Sequence, residues 1–195
     1  MTDWRMPHYV RLDMNTLSEK LHELVSRYQR RGLDNGDGLL PPADIESITE
    51  AERQLGFALP APLREIYAVF GGQEHIAAGI TGIFGSHRLH TPDEIGSMYK
   101  MYQEVEEEER LDGETPPPDS LPGEYSRSWH PALIPFATWD AYNLVMCRHT
   151  EFVYEFEPYS GLSERKYETI DHLLDVILEE AATSAEPSLD FITPE

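Results

Sequence analysis

The chain has 195 residues, is 40% hydrophobic, and carries 36 acidic against 15 basic side chains, a formal charge of −21. That length holds one sizeable core but not two full domains, and that charge weighs against direct binding to nucleic-acid phosphates or anionic membrane surfaces while attracting a basic partner. The acidity is uneven, because residues 1–44 hold 6 basic and 7 acidic side chains whereas residues 45–195 hold 9 and 29, a surplus of −20.

A single cysteine, Cys147, has no internal partner for a disulfide, and no Cys/His spacing resembles a zinc site. Charges at Asp3, Arg5, Arg11, Asp13, Glu19, Lys20 and Glu23 interrupt any apolar core of a signal peptide, and no later stretch is long enough to span a bilayer. A reducing, cytoplasmic location is the expectation.

In chain order, residues 1–13 have no clear period and read as an irregular arm. Thr16 and Glu19 form a capping box ahead of a stripe of Leu17, Leu21, Leu24, Val25 and Tyr28. Arg27, Arg30 and Arg31 complement the negative end of this helix before Gly32. The run Asp34-Asn35-Gly36-Asp37-Gly38 lacks the twelfth-position glutamate of a calcium loop and reads as a flexible connector. Asp44 then caps a short helix with Ile45, Ile48, Ala51, Glu52 and Leu55 at helical spacing, ending at Gly56. After Phe57-Ala58-Leu59-Pro60, Pro62 opens a second helix carrying Leu63, Ile66, Tyr67 and Phe70, stopped by Gly71-Gly72.

Residues 76–89 mix β-branched and aromatic residues with Gly79, Gly82 and Gly85, which suggests short strands broken by turns. The glycine spacing matches no phosphate-binding signature. Pro92 opens a helix with a stripe of Ile95, Met98, Tyr99, Tyr102 and Val105, leading into acids at 104 and 106–109. The proline-rich, acidic stretch 111–123 reads as an exposed loop. Residues 133–137, 142–148 and 151–157 read as successive strands, the last alternating Phe152, Tyr154 and Phe156 with Glu151, Val153, Glu155 and Glu157. A helix over about 169–182, built on Ile170, Leu173, Leu174, Ile177 and Leu178, precedes a loosely held tail.

The ordered set Ile48, Glu52, Leu55-Gly56, Leu59-Pro60, Leu63, Tyr67 and Gly72 resembles the signature of the SMI1/KNR4 (SUKH) superfamily. The resemblance implies a single α+β domain over residues 45–183, with a mixed, mainly antiparallel sheet flanked by helices. Residues 1–44 would add an arm and an extra N-terminal helix packed on it, and residues 184–195 a tail. Family members often carry an Asp-Gly-x-Gly-Asp type turn where this chain has Thr138-Trp139-Asp140-Ala141-Tyr142-Asn143. The resemblance brings no catalytic residues and no cofactor. It implies a non-catalytic immunity protein that neutralises a cognate toxin, here a basic, nuclease-like domain, or alternatively an intracellular scaffold or regulatory module.

The residues themselves announce no enzyme. There is no nucleophile elbow and no zinc-protease motif, Cys147 lies in an apolar strand, and His87 and His90 read as surface or turn histidines. With 36 acids, a hydrolase built on an unrecognised carboxylate pair is a third, weaker reading. For a protein partner, the strand face bearing Glu151, Glu155 and Glu157, with Trp139, Asp140 and Tyr159 near its ends, combines aromatic anchors with negative charge. Glu106 and Glu107 form the second acidic candidate, since like charges at a helix C-terminus oppose the macrodipole.

Overall fold

A computed structural model describes residues 16–74, 82–109, 122, 129–158, 160–163 and 166–183. The elements in chain order are α1 (Leu17–Arg31), α2 (Ile45–Leu55), α3 (Ala61–Val69), β1 (Arg88–Leu89), α4 (Pro92–Glu109), β2 (Leu133–Trp139), β3 (Tyr142–Cys147), β4 (Val153–Glu157), β5 (Gly161–Leu162) and α5 (Ile170–Thr183). The expected arm, the loop at 111–123 apart from Pro122, and the tail lie outside the described residues.

The sheet is an antiparallel meander in the order β1-β2-β3-β4-β5, so the domain is α+β with each strand beside its neighbour in sequence. Leu144, Val145, Met146 and Cys147 of β3 are all fully buried, which requires both faces of the sheet to be covered. A register shift between Pro135 and Ala137 accommodates the proline in an inner strand, where its missing N–H would otherwise break the ladder. At the same place the His90 N–H donates to Phe136 O.

The capping box of α1 is present: the Thr16 hydroxyl accepts from the Glu19 N–H and the Glu19 carboxylate accepts from the Thr16 N–H, both at 3.2 Å. Leu17, Leu21, Leu24 and Tyr28 bury the stripe of this helix. Three of its cations reach α5. Lys20 Nζ lies 2.8 Å from Asp171 Oδ1 and 2.6 Å from Asp175 Oδ1. Arg27 Nη1 donates to Leu178 O and Arg31 Nη1 to Ala181 O, each at 2.6 Å. Since α5 has no basic residue in its own last turn, α1 supplies positive charge to that helix end from outside.

The corner between α2 and α3 is closed by Glu52, whose Oε1 accepts from the Leu59 N–H at 2.9 Å and from Arg64 Nε and Nη2 at 2.9 and 2.5 Å. Ile66 and Tyr67 of α3 are fully buried, and the Tyr67 hydroxyl donates to His90 O at 2.7 Å, tying the corner to the approach of α4. Gly71 does more than stop a helix. A methyl group there would overlap Pro41 O, so the backbone of the chain entering α2 passes where any side chain would stand.

Two expectations are corrected. The segment 34–38 is an anchored loop, because Asn35 is buried and its Nδ2 donates to Gly82 O and Gly85 O at 3.2 and 2.7 Å. Gln73 completes this knot: its Nε2 donates to Asn35 O and Asp37 O, and its Oε1 accepts from the Ile83 N–H. His87 and His90 are not surface residues; they are 0% and 1% exposed. Gly82 explains part of this burial, since a side chain there would overlap the His87 carbonyl and push the turn open.

Candidate functional site

Directly paired residues on neighbouring strands point to the same face, and successive residues alternate. Asn143 pairs with Phe156 and Leu144 with Glu155. The Asn143 amide donates to the Tyr102 hydroxyl of α4 at 2.7 Å, which identifies the face covered by α4. Tyr102 there meets Phe156 and Trp129 at centroid distances of 5.0 and 4.8 Å, and Tyr99 joins Trp129 at 5.9 Å. Trp139 and Tyr142, one residue to either side of the Thr138–Asn143 pair, consequently point to the opposite face, and so do Glu155 and Glu157.

On that second face the Trp139 and Tyr142 rings stack at 5.7 Å and 22°. Asp140, exposed and at φ 53, makes the turn between them, a left-handed position that aspartate tolerates better than most residues. Both rings are part-exposed, and the edge of His87 supports Trp139 from beneath at 6.3 Å. Burial holds His87 neutral, pushing its pKa down to about 3, with the nearby Lys166 charge acting in the same direction. His90 is pushed down to about 4, again chiefly by burial, which outweighs the attraction of Glu94.

The acids expected to meet a partner are divided by this geometry. Glu155 is largely enclosed and its Oε2 lies 3.2 Å from Lys166 Nζ; burial raises its pKa against the opposing pull of that lysine. Glu157 Oε2 accepts from the Ser160 N–H at 2.7 Å and from the Ser160 hydroxyl, so it braces the turn into β5. Glu151 is outside β4, at φ 60 in the β3–β4 turn. Tyr159 lies outside the described residues. Glu106, on the other side of the sheet, accepts from the Trp129 N–H at 3.0 Å, and Glu107 stands exposed beside it.

Two groups at the site carry no sequence signal as partners: Lys166, which reaches Glu155 across eleven residues, and His87, whose burial depends on Gly82 and on Trp139. Tyr142 was legible only as the start of a strand. Among the described residues no group of three or more His, Cys, Asp or Glu side chains could hold a metal ion, and no helix is long and apolar enough to cross a membrane.

The architecture is thus that of a single α+β domain whose part-exposed aromatic turn is set in a strongly acidic chain. Residues 42–176 match the profile of the SMI1 / KNR4 family (SUKH-1), and the chain belongs to that family. The match begins after α1, although α1 contributes Leu21, Leu24 and Tyr28 to the common core. A comparison with curated proteins finds no match.

Proposed function

We propose that this chain is a non-catalytic immunity-type protein that neutralises a basic, nuclease-like toxin domain by binding it directly. Family membership supports a binding role, and the observation that carries the reading is the Trp139–Tyr142 stack, part-exposed around Asp140 on a chain of charge −21. Aromatic side chains lose little entropy on contact and supply desolvated anchors, while the negative field speeds the approach of a basic domain and repels the nucleic acid it would attack. Glu155 and Glu157 contribute to that field, although their local bonds to Lys166 and Ser160 reduce what they offer to a partner.

The test is protection. Cells producing a basic, nuclease-like toxin domain that this chain binds should survive only when the chain is produced with it, and Tyr142→Ala, in the part-exposed stack, should weaken survival without lowering the amount of folded protein. Equal survival with and without the chain sinks the immunity reading. Binding of a host signalling protein with no effect on any toxin would favour a regulatory module instead.

A further inference from the structure

Among the described residues, every arginine but one gives a side-chain N–H to an acid or a backbone carbonyl. Arg27, Arg30, Arg53, Arg64 and Arg88 each donate to a glutamate, and Arg31 donates to Ala181 O. Arg148, in the β3–β4 turn, reaches neither with its side chain, although the chain carries 36 acids. Its guanidinium carbon stands 4.4 Å from the centre of the part-exposed Phe57 ring, in the link between α2 and α3, and its Nε donates to His149 Nε2 at 3.1 Å. Phe57 in turn meets the buried Tyr99 edge-on at 5.8 Å. The Arg148 charge reaches the Tyr99 hydroxyl, where burial raises the pKa and the arginine offsets part of the rise. The backbone is pinned as well, since the Arg148 N–H donates to Ala132 O and the Glu151 N–H to Cys147 O, both at 2.8 Å.

This arrangement suits one chemistry. Phe57 covers one face of the guanidinium and His149 takes its Nε, while the edge formed by Nη1 and Nη2 bonds to no described residue. That edge presents two parallel donors, the match of the two oxygens of a carboxylate. Stacking on the ring fixes a long side chain before any ligand arrives, which lowers the ordering cost that makes exposed ion pairs weak. Arg148 is also part-buried, so water screens its charge less. Glu151, three residues on, is held at φ 60, a left-handed position strained for a glutamate, and its carboxylate likewise bonds to no described residue. A doubly charged phosphate is repelled there more strongly than a single carboxylate.

We infer that Arg148, held on Phe57, is a carboxylate-binding point that takes an aspartate or glutamate side chain of a protein partner through Nη1 and Nη2. It deepens the binding-protein reading and rests on it. In a chain of charge −21, whose field draws a basic partner from any side, one fixed cation accepts only an acid and so sets how that partner is turned. The point lies at the other end of β3 from the Trp139–Tyr142 stack, about 20 Å along the strand.

Two capped peptides are the probes, Lys-Lys-Glu-Lys-Lys and the same peptide with glutamine for glutamate, titrated at low salt into the isotopically labelled full chain. The negative field alone favours the glutamine peptide, which carries one more net positive charge. Carboxylate recognition reverses that order: the glutamate peptide should bind about three- to tenfold more tightly, with shifts concentrated on Phe57 and residues 148–151. Arg148→Gln should restore the order the field dictates. Arg148→Lys, which keeps the charge and loses the fork, should lose most of the preference, and an unchanged thermal midpoint would show that recognition was lost and not folding. Tighter binding of the glutamine peptide by the unaltered chain, or a glutamate preference that survives Arg148→Gln, would overturn the inference. A phosphoserine peptide bound more tightly than the glutamate peptide would overturn the choice of a carboxylate. The protection assay fails separately: equal survival with and without the chain removes the immunity reading and leaves the peptide preference as measured.

Discussion

Glu52 closes the α2–α3 corner on Leu59: its carboxylate takes the Leu59 backbone N–H at 2.9 Å while Arg64 holds the same oxygen from the solvent side. The glutamate of the family signature is therefore a clamp on the chain reversal. Glu52→Ala leaves the Leu59 N–H without its acceptor next to a buried side chain and should cost about 1–3 kcal/mol. Arg64→Ala, with the arginine side chain 51% exposed, should cost less than about 1 kcal/mol. Urea denaturation of the two variants checks the order, and a larger loss for Arg64→Ala would contradict the clamp.

Ile66 is fully buried at the centre of the same corner, between helices that cannot collapse far because Glu52 and Tyr67 fix them on either side. Ile66→Ala should cost about 2–5 kcal/mol. A measured loss below about half a kcal/mol would mean that the corner is not packed as described.

The knot of Asn35 and Gln73 holds the 33–39 loop and the 82–87 turn together through five hydrogen bonds, four of them buried and the one to Asp37 O part-buried. Removing either amide strands buried backbone carbonyls or the Ile83 N–H, so Gln73→Ala should destabilise by about 2–4 kcal/mol, more than one ordinary hydrogen bond. Hydrogen exchange at Ile83 should rise with it. Unchanged exchange there would show that the turn does not depend on the knot.

His87 and His90 are kept neutral by burial, with pKa values pushed down to about 3 and about 4, while the unfolded chain binds protons at an ordinary histidine value near 6.5. The stability these groups protect is complete above about pH 6.5 and is lost as the pH falls from there toward their folded values. In that window the unfolded chain holds more protons, at a cost of up to about 1.4 kcal/mol per pH unit for each histidine. Carboxylates whose folded pKa is lowered, such as Glu23 and Glu94, add their losses only at lower pH, below the ordinary carboxylate range. Denaturation free energies at pH 7.5, 6 and 5 should therefore decline before the acids titrate, and His87→Gln/His90→Gln should flatten that decline. A curve flat to pH 5 would be incompatible with two buried neutral histidines.

Much of the fold is legible in the residues because its signals are local. Thr16, Glu19 and Gly32 bound α1, Asp44 and Gly56 bound α2, and the stripes of α1, α3 and α5 follow the helical period, except that Phe70, expected on the α3 stripe, lies just past the helix in extended backbone and is only partly buried. The burial of β3 on both faces is visible as an uninterrupted apolar run. Other positions depend on what stands across the core. Tyr102 is drawn to Asn143 and Glu106 to Trp129, and that rotation of α4 turns Val105, which the apolar pattern places inside, out to solvent. Ile45, which shares the helical spacing of Ile48, Ala51 and Leu55, is exposed in the first turn of α2. Glu155 looks like a free acid on a strand and is enclosed with Lys166, and Asn35 looks like part of a flexible linker and is a buried anchor. Capping and periodicity act within a turn or two of helix or strand, so the sequence alone determines them. Long-range pairings join residues tens of positions apart with no repeating pattern between them, and only the tertiary structure decided which acids are paired inside the molecule, as Glu155 is with Lys166, and which stay exposed, as Asp140 does.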